Sequence, residues 1–163
     1  MLVASDTSPI SNLAIVGRLK LLRTQFEEIW IPGAAESELQ GLPHASALAN
    51  IQEARREGWI KPRVIGDDHI VRLLESGLGR GEAEATALGI ELPADLVLLD
   101  ERDGRSAAKR IGLRVTGVLG VLLRAKHRGE ISSLKRELLE LRSRARFFIA
   151  SRLEDEVPRI AGE

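Results

Sequence analysis

Two apolar runs, Met1-Leu-Val-Ala4 and Leu96-Val-Leu-Leu99, each lead into an aspartate, Asp6 after the first and Asp100 after the second. A short, unbroken apolar run is what a strand buried on both faces requires, and such strands belong to parallel sheets covered by helices. Between and after these runs the pattern alternates. Helices are predicted at Pro9 to Ala14, Leu19 to Thr24, Ala34 to Leu39, Ala45 to Glu57, Asp67 to Glu75, Glu82 to Glu91, Arg102 to Ile111, Val118 to Arg128 and Ile131 to Arg144. Strands are predicted at Met1 to Ser5, Glu28 to Ile31, Trp59 to Ile65 (interrupted by Pro62), Leu96 to Leu99, Leu113 to Thr116 and Phe147 to Ala150, with a final short helix toward Val157. Ser8 is read as the cap of the first helix, with Pro9 at its first position, and Gly17, Gly58 and Gly112 as stops. Strands alternating with helices give an α/β fold with a mostly parallel sheet and right-handed crossovers.

A chain of 163 residues is expected to form one domain, residues 1–163. With three Phe, two Trp and no Tyr, its core must be aliphatic. The absence of cysteine excludes disulfides and thiolate metal sites. No signal peptide or membrane span is visible, so a soluble, cytoplasmic protein is expected. Net charge is zero but uneven: Gly104 to Arg146 carries 12 Lys/Arg against three acids (Glu130, Glu137, Glu140), and the remainder is correspondingly acidic. That asymmetry suits a polyanion partner, although solvated helix faces read the same way.

The chemistry lies in four acids. In an open α/β sheet, Asp6 and Asp100 at strand ends lie over the crevice where ligands bind. Glu38 is on the helix after the second strand, and Glu82 opens a helix after Gly79-Arg80-Gly81. Carboxylates gathered together need a shared cation, and clustered oxygens suit Mg²⁺ or Mn²⁺. Each acid also has an ordinary reading. Asp6 can cap the first helix, Glu38 and Glu36 equally complement a helix dipole, Glu82 is a helix-start acid, and Asp100 begins an acidic turn with Glu101 and Asp103. Glu84, two positions after Glu82, points to another face of its helix. His44, His69 and His127 have no metal-ligand spacing, and no phosphate loop, dinucleotide fingerprint or serine elbow is present.

Several segments, in order, resemble the PIN domain superfamily, and within it the uncharacterised prokaryotic branch related to type II toxin–antitoxin toxins. They are Ser5-Asp-Thr-Ser-Pro-Ile-Ser-Asn-Leu13, Ile31-Pro-Gly-Ala-Ala-Glu-Ser-Glu-Leu39, Gly79-Arg-Gly-Glu-Ala-Glu-Ala85, Leu98-Leu-Asp-Glu-Arg-Asp-Gly-Arg-Ser-Ala-Ala108 and Gly112-Leu-Arg-Val-Thr-Gly-Val-Leu-Gly120. The resemblance implies a three-layer α/β/α sandwich and a ribonuclease that hydrolyses phosphodiesters with Mg²⁺ or Mn²⁺. It maps Asp6, Glu38, Glu82 and Asp100 onto the metal-binding, catalytic acids, with Thr7 and Ser8 as hydroxyl neighbours of the first. It implies RNA as substrate, guided by Arg105 to Arg146, an antitoxin partner, and a homodimer for which the apolar helix Val118 to Leu123 offers either a surface or core. The chain departs from many PIN toxins in placing an acid, Asp100, at the strand end itself, so Glu101 and Asp103 also stand as candidates for the fourth acid. The rival reading is a PIN-like module that binds nucleic acid or protein without cleaving. The haloacid dehalogenase pattern fails because Ser8 stands where a second aspartate is needed, and a receiver domain would need an acidic pair where Asp6-Thr7 stands.

Overall fold

The computed structural model describes residues 1–163 and contains five strands and ten helices. The strands are β1 (Val3–Ser5), β2 (Ile29–Ile31), β3 (Ile60–Pro62), β4 (Leu96–Leu98) and β5 (Val115–Thr116). The helices are α1 (Thr7–Ile15), α2 (Lys20–Phe26), α3 (Gly33–Gln40), α4 (Ala45–Arg56), α5 (Asp68–Glu75), α6 (Arg80–Glu91), α7 (Arg102–Arg110), α8 (Val118–His127), α9 (Leu134–Arg144) and α10 (Ser151–Ile160). Every strand pair is parallel, in the order β3-β2-β1-β4-β5.

Alternation of side chains along the strands divides the interior. Val3, Ile29, Ile31, Leu96 and Leu98 join the large aliphatic core beneath α1, α2, α3, α4, α8 and α9. Ala4, Val97 and Leu99 face the opposite way, onto Ala85 and Leu88 of α6 and Ala108 of α7. Helix α5 packs outside α6 through Val71, Ala83 and Ala87. The result is a helix–sheet–helix sandwich. Helix α6 lies close to the sheet because Gly89 leaves room: a Cβ there would stand 2.6 Å from Val97 Cγ2.

The strand order decides where the site sits. From β1 the chain adds β2 and β3 on one side, then returns to place β4 and β5 on the other. The switch point therefore falls between β1 and β4, at whose carboxyl ends a crevice opens. Asp6 and Asp100 stand at that crevice.

Some local expectations are corrected. Helix α1 begins at Thr7, not at Pro9, and Asp6 occupies its cap position without a capping side-chain bond. The stretch Phe147 to Ala150 is not a strand. Its apparent alternation comes from a loop that turns Phe148 outward (87% exposed) and buries Ile149, and it joins none of the sheet's five strands. Strand β3 stops at Pro62; the Arg63 N–H still donates to Ile31 O at 2.8 Å, and Val64 and Ile65 lie beyond the sheet. Helix α8 follows the core alternative: Val118, Val121 and Leu122 are buried, with the partly buried Leu119 and Leu123 packed against the main cluster. No helix is long and apolar enough to cross a membrane.

Candidate active site

Asp6 continues the β1–β4 ladder, its backbone N–H donating to Leu98 O at 3.1 Å. The ladder fixes the backbone and aims the carboxylate into the crevice, where the residue is only 8% exposed. Burial pushes its pKa up to about 6, against a nearby Thr7 amide that lowers it; Glu38, Glu82 and Asp100 raise it further by repulsion. These three are the other acids singled out from the sequence, so the fold brings each of them within electrostatic reach of Asp6. Asp6 takes part in no ion pair.

Glu38 and Asp6 both meet α6 at Gly81. A Cβ on Gly81 would lie 2.9 Å from Asp6 Oδ1 and 3.5 Å from Glu38 Oε1. Glu36, electrostatically equivalent from the sequence, instead turns to α4 and pairs with Arg55, its Oε1 also accepting from Gln40 Nε2 at 2.9 Å. Glu82 reaches back so that Oε2 accepts the Gly79 N–H at 3.1 Å, supplying a cap that glycine lacks. Its other oxygen, Oε1, is buried with no hydrogen-bond partner and faces Gly104, where a Cβ would stand 2.8 Å away. The helix-start reading of Glu82 thus holds through Oε2, while Oε1 is left without a partner.

Asp100 is positioned most firmly. Oδ2 accepts from the Ser8 hydroxyl at 2.8 Å, and Oδ1 from the Val118 N–H at 2.8 Å, which joins α1, β4 and the start of α8. Burial raises its pKa, while those two donors and then Arg105 oppose the rise. Gly117 is required here: a Cβ would fall 2.5 Å from Asp100 Oδ1 and 2.9 Å from Leu99 O. Glu101 and Asp103 are exposed, in the first turn of α7 or just before it, so Asp100 is the acid of that run turned into the crevice.

Sequence reasoning allows for room beside Glu82 at Gly79 and Gly81, but it missed Gly104 and Gly117 and the acids that Gly81 accommodates. Gly81 makes room for Asp6 and Glu38, Gly104 for Glu82 and Gly117 for Asp100. The signal was present as glycine one residue before Glu82, four after Asp100 and one before α8, but the partners lie far away in sequence. Thr7, named with Ser8 as a hydroxyl neighbour of the first acid, has its Oγ1 buried without a partner.

The donor set is wholly carboxylate oxygen, suited to a hard divalent cation. No three His, Cys, Asp or Glu side chains are grouped as a ready-made chelate. A hydrated Mg²⁺-like ion needs only one or two carboxylates and keeps several waters, so it fits this looser arrangement. The orphaned Glu82 Oε1 and the unneutralised Asp6 are the features such an ion would satisfy.

The basic stretch is less uniform in space than in sequence. Lys126, Arg128, Arg142 and Arg144 are engaged with acids. Lys109 and Arg110 on α7, together with Arg102 just ahead of that stretch, are exposed, and none of them forms an ion pair.

A family model described as a PIN domain matches residues 2–163 of the chain. No curated protein matches it.

Proposed function

Because the chain belongs to the PIN-domain family, we propose that it is a metal-dependent ribonuclease with Asp6, Glu38, Glu82 and Asp100 as its hydrolytic site. The observation that carries this reading is Asp6, sealed in at the switch point, its pKa raised first by burial and then by three other carboxylates, with no cation paired to it. Asp6 and Asp100 would hold Mg²⁺ or Mn²⁺, directly or through water, with Glu82 and Glu38 completing the pocket. Such an ion supplies charge that offsets the charge developing on a phosphodiester and favours ionisation of a water.

The chain's own groups have distinct tasks in this reading. Ser8 and the Val118 amide hold Asp100 still. Glu82 Oε1, lacking any other partner, stands as an acceptor for the ion or for a water that it holds. Glu38, exposed at the mouth, adds charge without being sealed in. Arg102, exposed and unpaired at the start of α7 two residues after Asp100, meets RNA phosphates, an electrostatic contact that carries no sequence preference. The same reading makes the protein a cytoplasmic type II toxin held by an antitoxin, and a homodimer. Light scattering at micromolar concentration should then give twice the monomer mass of 17.9 kDa.

The test is cleavage of single-stranded RNA with Mn²⁺ by wild type, Asp6→Asn and Asp100→Asn. Wild type should cleave, and each variant should lose roughly 10²-fold or more. Cleavage that survives both substitutions would sink the site assignment. The absence of a preformed chelate favours one rival, a PIN-fold module that binds RNA without cutting it. RNA binding by a wild type that never cleaves would establish that rival.

A further inference from the structure

Helix α3, which carries Glu38, starts without a cap of its own. Pro32 holds the cap position and has no side-chain acceptor, and Gly33 follows it. The Ala34 N–H, one of the donors left open at any helix start, instead donates to Glu84 Oε2 at 2.7 Å, from a helix fifty residues further along the chain. A carboxylate there also complements the helix dipole. Glu84 is buried, 9% exposed, and its other oxygen accepts from Arg80 Nε at 3.1 Å. Arg80 in turn reaches Glu75 Oε1 on α5 at 3.4 Å. Both Glu84 oxygens are therefore engaged away from the acidic crevice.

The spacing gives this tie a consequence. Ala34 and Glu38 are four residues apart, on one face of α3. Glu82 and Glu84 are two apart on α6, directed to different faces. Glu38 and Asp6 meet at Gly81, between Arg80 and Glu82. One turn of α6 thus supplies a pocket acid, a glycine that lets two others approach, and the cap that docks α3. We propose that Glu84 is a positioning residue: by capping α3 from α6, it sets where Glu38 stands relative to Asp6 and Glu82. Its effect on metal binding rests on the nuclease reading above; its effect on α3 does not.

The experiment compares Glu84→Ala, Glu84→Gln and Glu137→Gln, using Mn²⁺ affinity by calorimetry and amide hydrogen exchange across α3. Glu137 is a buried acid paired with Arg18 on the far side of the molecule, so its variant controls for general loss of stability. Glu84→Ala should bind Mn²⁺ about 10-fold more weakly, the scale of losing a group that orients ligands, and should speed exchange at Ala34 and Glu38. Glu84→Gln keeps an oxygen for the Ala34 amide and should retain most of the affinity. Glu137→Gln should melt earlier yet bind Mn²⁺ as wild type does. A folded Glu84→Ala with wild-type affinity, or equal weakening in Glu84→Ala and Glu137→Gln, overturns the proposal. Should wild type bind no Mn²⁺, the nuclease reading falls, and exchange alone judges Glu84: faster exchange confined to α3 supports the positioning role, and unchanged exchange overturns it.

Discussion

Asp6→Asn should melt at a higher temperature than wild type in the absence of metal, while losing RNA cleavage. The Asp6 carboxyl has a pKa of about 6 in the folded chain against an ordinary value of 3.8. A raised acid pKa means the folded state holds the proton more tightly than the unfolded chain does. Between about pH 4 and pH 6 the native state binds more protons, so stability falls as pH rises through that window and stays reduced above it. Two pKa units correspond to about 3 kcal/mol at most. Asparagine removes the charge but leaves a polar group to bury, so a net gain of about 2 kcal/mol is expected, or roughly 4–8 °C for a chain this size. Asp100, also raised, adds a contribution of the same sign in wild type. Thermal melts in a chelator at pH 7.5 and pH 4.5 check this: the variant's advantage should be large at the higher pH and shrink at the lower. Adding Mn²⁺ should raise the wild-type midpoint and leave Asp6→Asn unmoved. A variant no more stable than wild type at pH 7.5 would mean that the Asp6 charge is already neutralised without metal.

Gly81→Ala should separate stability from function in another way. Alanine is the better helix former, by roughly 0.5–1 kcal/mol, so the fold should survive. The added methyl, however, would stand 2.9 Å from Asp6 Oδ1 and 3.5 Å from Glu38 Oε1. Asp6 has a short side chain on a backbone held by the β1–β4 ladder, so it cannot retreat without leaving the crevice. Mn²⁺ affinity and RNA cleavage should each fall about 10-fold or more, the penalty of displacing a ligand-bearing group. Gly33→Ala is the matched control. It also lies in the first turn of a site helix, but a Cβ there meets nothing within 4 Å. Equal losses in both variants, or none in Gly81→Ala, would disprove the claim that Gly81 shapes the pocket.

Much of the architecture was legible because buried parallel strands leave a dense local signature. Met1 to Ser5 and Leu96 to Leu99 contain β1 and β4, shifted by only a residue or two at their ends. Gly17, Gly58 and Gly112 do end helices or turns, at positive φ, where a side chain would be strained. The failures occurred where local pattern and environment part company. Phe147 to Ala150 alternates like a strand but joins none of the sheet's five strands. The apolar face of Val118 to Leu123 was equally compatible with a dimer contact or a core, and only the packing of α8 assigns it to the core.

Residue type and order along the chain were enough to specify an aliphatic α/β sandwich with acids at two strand ends, since burial on both faces and carboxylate chemistry are local properties. Three-dimensional contact made the distinctions among chemically equal candidates. It sent Glu36 to Arg55 and Glu38 to the crevice, fastened Asp100 between Ser8 and Val118, and turned Glu84 into the cap of a helix fifty residues away. Such choices depend on hydrogen bonds and close approaches between segments far apart in sequence, and no spacing within a single segment encodes them.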